Sequence, residues 1–143
     1  MSTIAVVTDS TACLTDDQRR ESGVEVVPIH VIVDGRDYLD GVDISSAEVA
    51  SALSRYAAVS TSKPTPQQFL DAYTAAADRG AQSVLSVHLS SALSGTYDAA
   101  RLAARDAPIP VKVVDSRTIA MGLGFSALNA AAAVPPTHAP ATA

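Results

Sequence analysis

Hydroxyl side chains dominate the positions that could do chemistry in this 143-residue sequence, and they fall into four tight groups. These are Thr8-Asp9-Ser10-Thr11, Ser60-Thr61-Ser62, Ser90-Ser91 with Ser94-Gly95-Thr96, and Asp115-Ser116. The third group is the most informative. At Leu93-Ser94-Gly95-Thr96 a strand pattern gives way to a helix pattern, so hydroxyls and unpaired backbone amides point at one spot, which favours an anion. Hydroxyls with few cations beside them suit a carboxylate or a single phosphate better than a triphosphate. The same residue types also serve as plain helix caps, and the local pattern leaves both readings open.

Other candidate motifs carry less. Gly122-Leu123-Gly124-Phe125-Ser126-Ala127 has dinucleotide-binding spacing, but it does not follow a strand directly, and no acid lies downstream to bind a ribose. Glycine-mediated helix packing is the simpler reading. His30, His88 and His138 are far apart and without acids at metal-ligand spacing, and His88, inside an apolar strand, reads as a structural histidine. Ser94 is not in a nucleophile elbow. Cys13 has no basic neighbour to lower its pKa and reads as an incidental thiol. Asp9, Asp34, Asp37, Asp40 and Asp43 lack calcium-loop spacing and read mostly as turn formers.

The elements that must position these groups follow from periodicity. Residues 4–7 form an unbroken β-branched run, the pattern of a strand covered on both faces. Residues 14–22 read as a short helix capped by Thr15, and residues 24–33 as a strand, bent or at an edge because of Pro28. Asp34-Gly35 and Asp40-Gly41 mark a turn-rich stretch. Ser45 and Glu48 form a capping box opening a helix with Val49, Leu53 and Tyr56 on one apolar face. After a polar loop, Thr65-Pro66 starts a helix with Phe69, Leu70, Tyr73, Ala76 and Ala77 inward. A strand over 83–89, a helix over 93–106, a strand over 111–114 and a mostly helical segment over 118–134 complete the order. Strands separated by helices predict an α/β fold, three-layer α/β/α with a mainly parallel sheet.

Composition narrows the class. Hydrophobic residues make up 48% and charged residues 17%, which is globular and not disordered. A net charge of −5 disfavours a nucleic-acid binder, which needs a dense cationic face. One cysteine excludes an internal disulfide framework. No run approaches the length of a membrane span, and the amino terminus lacks the basic segment of a secretory signal, so the expected location is cytoplasmic.

Six segments then carry a resemblance. They are Val6-Val7-Thr8-Asp9-Ser10-Thr11, Val26-Val27-Pro28, Asp40-Gly41-Val42-Asp43-Ile44, Thr61-Ser62-Lys63-Pro64, Ser90-Ser91-Ala92-Leu93-Ser94-Gly95-Thr96-Tyr97 and Val114-Asp115-Ser116. In this order they resemble the DegV family, and six ordered matches are far more specific than any one. The resemblance implies binding of a long-chain fatty acid such as palmitate, with no metal and no catalytic residue. In some members the bound carboxyl is presented to a separate dihydroxyacetone-kinase-like fatty-acid kinase, and the acyl phosphate feeds phospholipid synthesis.

By the resemblance, Thr61 and Ser94 match the two hydroxyl residues that hold the carboxylate, and Ser62, Gly95 and Thr96 line the same head-group pocket. Lys63 stands where many members carry Gln, either adding a positive charge at the pocket mouth or pointing to solvent. One extra residue separates Thr61 from Ser94, assigned to the turn at 80–82. Residues 1–134 are expected to form the lipid-binding domain and 135–143 a disordered Ala/Pro-rich tail, the family's second domain being absent. A homo-oligomer covering the face left open is expected. The alternatives are a small metal-dependent phosphatase or transferase using Asp9, with a second carboxylate near Asp115, and a truncated, non-functional fragment.

Overall fold

Apolar runs without alternation need cover on both faces, and the computed structural model, which describes residues 3–134, provides it. The strands are β1 (Ile4–Asp9), β2 (Glu25–Val27), β3 (His30–Val33), β4 (Arg36–Leu39), β5 (Val59–Ser62), β6 (Ser83–His88) and β7 (Val111–Asp115). The helices are α1 (Asp16–Ser22), α2 (Ser46–Ser54), α3 (Pro66–Asp78), α4 (Thr96–Ala104) and α5 (Met121–Ala133). A four-stranded sheet runs in the order β2-β1-β6-β7, with every neighbouring pair parallel. Strand side chains alternate between faces, so each β1 residue is committed to one layer. Ala5 and Val7, with Val84, meet Phe69, Tyr73 and Ala76 of α3 and Ala99, Ala100 and Ala103 of α4. On the opposite face Val6 packs on Ala127 of α5, and Val87 on Leu123. The architecture is therefore α/β/α, as the alternation of strands and helices implied.

Pro28 divides the segment expected as one strand. Proline has no N–H to give a ladder, so pairing with β1 stops at Val27. The Ile29 amide donates instead to Ser10 Oγ at 3.0 Å, and the chain leaves the main sheet to become β3. There it forms a second, antiparallel sheet in the order β4-β3-β5. Two of these strands lie where turns and a polar loop were expected. Asp34 and Gly35, with φ of 49° and 81°, form the two-residue turn that returns the chain as β4. The Asp34 amide also donates to the Ala58 carbonyl, and the Asp34 side chain accepts the Ala58 amide, which sets β5 beside β3.

Helix α2 buries less than its pattern suggested. Ala52 is buried and Val49 half-buried against Val31, Val33 and Ile44, whereas Leu53 and Tyr56 are exposed. The helix ends at Ser54, and Tyr56 takes φ 58°, so it leaves the helical face and turns outward. The helix expected from residue 93 starts at Thr96, because residues 90–95 form a turn in which the Leu93 amide donates to the Ser90 carbonyl. Gly122 and Gly124 lie within α5. A Cβ on Gly124 would stand 2.6 Å from the Ala12 carbonyl oxygen, so this glycine is a packing contact, as the simpler reading held. The tail expected at 135–143 lies outside the described residues.

Candidate functional site

β1 leads through α1 to β2 at one side, and β6 leads through α4 to β7 at the other. The loops leaving β1 and β6 therefore diverge at their carboxyl ends, which is where open parallel sheets place ligands. Asp9 holds that divergence together. Its Oδ1 accepts the Thr11 amide at 3.0 Å and also the Thr11 hydroxyl. Its Oδ2 accepts from His88 Nδ1 at 2.9 Å and from the Leu89 amide at 3.3 Å. His88 Nε2 in turn lies 2.6 Å from Ser86 Oγ, and Ser86 lies 2.8 Å from the Tyr73 hydroxyl.

One donor direction satisfies the whole row. Tyr73 donates to Ser86, Ser86 donates to His88 Nε2, and His88 Nδ1–H donates to Asp9. Asp9, Tyr73, Ser86 and His88 have no exposed surface. The order acid, histidine, serine matches a nucleophilic triad, but Ser86 points into the α3 layer, where no substrate reaches it. Burial pushes the Tyr73 hydroxyl up to about 12, against the opposing effect of its Ser86 hydrogen bond. His88 is thus a satisfied structural histidine, as its apolar strand suggested, with the Phe69 ring edge-on at 4.9 Å.

A second clasp holds the loop after β6. Asp115 accepts the Ser91 hydroxyl and amide and the Arg117 amide. The Ser91 hydroxyl, followed by the Arg117 amide, holds the Asp115 carboxyl below its ordinary range. Asp9 and Asp115 are both occupied in fixing loops, and among the described residues no three His, Cys, Asp or Glu side chains are grouped to hold a metal.

The turn at 94–96 follows Ser91 in the same loop and leads into α4. Ser94 is half-buried, with its Oγ 2.9 Å from Thr96 Oγ1 and accepting the Thr96 amide. Thr96 is fully buried, so its hydroxyl supports Ser94 from beneath. Thr61 and Ser62 are exposed on β5, paired with Val31 and His30. The link between the two segments is Lys63. Its side chain lies across Gly95, with Nζ 2.9 Å and Cδ 3.0 Å from where a Cβ on that glycine would stand. The Lys63 side chain thus connects the end of β5 with the 94–96 turn. The Asp9–His88 clasp had no signature in the sequence beyond an acid at one strand end and a histidine at another. Register alone shows that they are level, since Val7 pairs with Ser86 two positions earlier.

Of the six motifs quoted from the sequence, those at Asp9, Ser91 and Asp115 are joined by hydrogen bonds at the carboxyl ends of β1, β6 and β7, and the one ending in Lys63 reaches the 94–96 turn through that lysine. A model of the DegV family, described as an uncharacterised protein family, matches residues 3–137. The chain belongs to the DegV family. A DegV domain-containing protein of Streptomyces coelicolor is 47% identical over 128 residues, covering 90% of this chain and 46% of that protein. The chain spans about half the length of such relatives, although a 15.5 kDa DegV domain-containing protein of Staphylococcus aureus, 37% identical, is covered over 85% of its length. Among solved structures, a DegV-family protein of Thermus thermophilus, described by its fatty-acid binding, superposes with a TM-score of 0.84 at 40% identity. It is covered over 46% of its length, and 91% of this chain takes part. DegV of Bacillus subtilis, described as a fatty-acid-binding protein, gives 0.86 at 28% identity, with 92% of this chain and 47% of that one covered. Among the described residues of this DegV-family chain, no helix is long and apolar enough to cross a membrane.

Proposed function

We propose that this chain binds a long-chain fatty acid by its carboxylate, with Thr61 and Ser94 donating hydroxyl hydrogen bonds and Ser62, Gly95 and Thr96 shaping the head-group pocket. The observation that carries this reading is Lys63 lying across Gly95, which draws residues 61–63 to the turn that bears Ser94. Two solved DegV relatives above 25% identity are described as fatty-acid binders, and a third, from Eubacterium ventriosum, as binding stearic acid. A site at the exposed strand-end edge leaves the carboxylate reachable by a second protein. A dihydroxyacetone-kinase-like fatty-acid kinase fits that geometry. It would transfer the terminal phosphoryl group of ATP to a carboxylate oxygen, giving an acyl phosphate and ADP, and its use of ATP makes this a cytoplasmic reaction.

The acyl chain needs apolar cover, because each buried CH₂ contributes about 0.8 kcal/mol. Leu93, beside the turn, is 63% exposed, and Val42 is 67% exposed. In this proposal another polypeptide surface, a second copy of this chain when it is alone, completes the enclosure. The test is mass spectrometry of an organic extract of the purified protein, with light scattering on the same sample. Long-chain fatty acid in a dimeric or larger species is the expected result. Absence of fatty acid, after the protein has also been incubated with palmitate, would overturn the reading.

A further inference from the structure

Lysine is rare in this chain, at positions 63 and 112 only, and one of the two lies on the candidate site. Its backbone is held on both sides. Ser62 ends β5 by pairing with His30, and Pro64 is fully buried, which restricts Lys63 to extended backbone. From that fixed start the side chain crosses Gly95, so a larger residue there would push the flexible end of the lysine aside. Lys63 is exposed, and among the described residues its ammonium forms no ion pair, as holds for most of the Lys and Arg side chains, of which only Arg20 and Arg79 are paired. A cation held over the turn that bears the Ser94 and Thr96 hydroxyls can meet an anion from outside the chain.

We infer that Lys63 is the residue that makes this site select a carboxylate over a neutral head group, and that Gly95 is the residue that gives its side chain room. The inference rests on the fatty-acid reading and goes further, since hydroxyl donors leave the carboxylate's charge unneutralised. The ammonium supplies the opposite charge, which a neutral alcohol does not use and which salt weakens.

The experiment measures binding of palmitate and of 1-hexadecanol, each delivered from cyclodextrin, to the wild-type chain, Lys63→Gln, Lys63→Arg and Gly95→Ala, at low and high salt. The wild type should prefer palmitate, with an affinity that falls as salt rises. Lys63→Gln should lose about tenfold or more in palmitate affinity, keep its hexadecanol affinity, and show little salt dependence. Lys63→Arg should retain the preference. Gly95→Ala should shift the same way as Lys63→Gln, because the new methyl displaces the ammonium while the backbone, at φ −80°, accepts alanine without strain. Wild-type binding of palmitate with an unchanged preference in Lys63→Gln overturns this inference and leaves the fatty-acid reading standing. A wild type that binds neither ligand overturns both.

Discussion

Asp9 and His88, 79 residues apart in sequence, meet across β1 and β6 with Oδ2 2.9 Å from Nδ1 and neither side chain exposed. This contact fixes where two loops diverge, since the same carboxylate also holds the Thr11 and Leu89 amides. It is therefore a point where stability and site geometry are linked.

Replacing Asp9 with Ala should be strongly destabilising. It strands the His88 Nδ1–H and the Leu89 amide without acceptors, and each buried donor left unsatisfied costs about 1–3 kcal/mol. Asp9→Asn, which keeps one acceptor oxygen, should cost less. Urea denaturation of the two variants checks this, and a loss below about 1 kcal/mol for Asp9→Ala would contradict the account.

Thr8 offers the opposite case. Its side chain has no exposed surface, and its hydroxyl has no hydrogen-bond partner among the described residues. Removing an unpaired buried hydroxyl while keeping the shape relieves a desolvation cost, so Thr8→Val should stabilise by about 1 kcal/mol. A clear decrease in midpoint would mean that the hydroxyl has a partner after all.

His30 ties the small sheet to α3. Its Nε2 faces the Gln68 carbonyl oxygen at 2.8 Å, and its Nδ1 faces the Asp37 carboxylate at 2.9 Å. The Gln68 hydrogen bond, outweighing desolvation and aided by Asp37, raises its pKa above the ordinary 6.5. A folded value above the unfolded one stabilises the protein when both states are protonated. That contribution is complete below 6.5 and fades as pH rises through the folded value. Melting temperature should therefore drop across this window in the wild type, and the drop should shrink in His30→Gln.

Thr61→Ala and Ser94→Ala test the head-group assignment directly. A hydrogen bond to a charged group is worth about 1.5–3 kcal/mol, so each variant should weaken palmitate binding roughly tenfold or more. The double variant should retain little lipid after gel filtration. Unchanged retention would refute the assignment.

Local chemistry in the sequence determined a good deal. Thr15, Ser45 and Thr65 each cap a helix with the reciprocal side chain three residues on, as short-range hydrogen bonding requires. The apolar run of β1 declared a strand covered on both faces, because residues without alternation have no side to give to water. The six ordered motifs were enough to mark the family.

Tertiary structure decided what depends on partners far along the chain. Arg36–Leu39 and Val59–Ser62 carry no strong strand pattern, and they are strands because β3 supplies the hydrogen bonds on either side. Leu53 has the spacing of an inward residue but is exposed, because the small sheet beneath α2 covers only the stripe through Val49 and Ala52. That Asp9 is level with His88 follows from the parallel register of β1 and β6, a property of pairing that no single segment encodes. Lys63 meets Gly95 for a similar reason: the departure of the chain from the main sheet at Pro28 builds the small sheet whose last strand carries that lysine to the glycine.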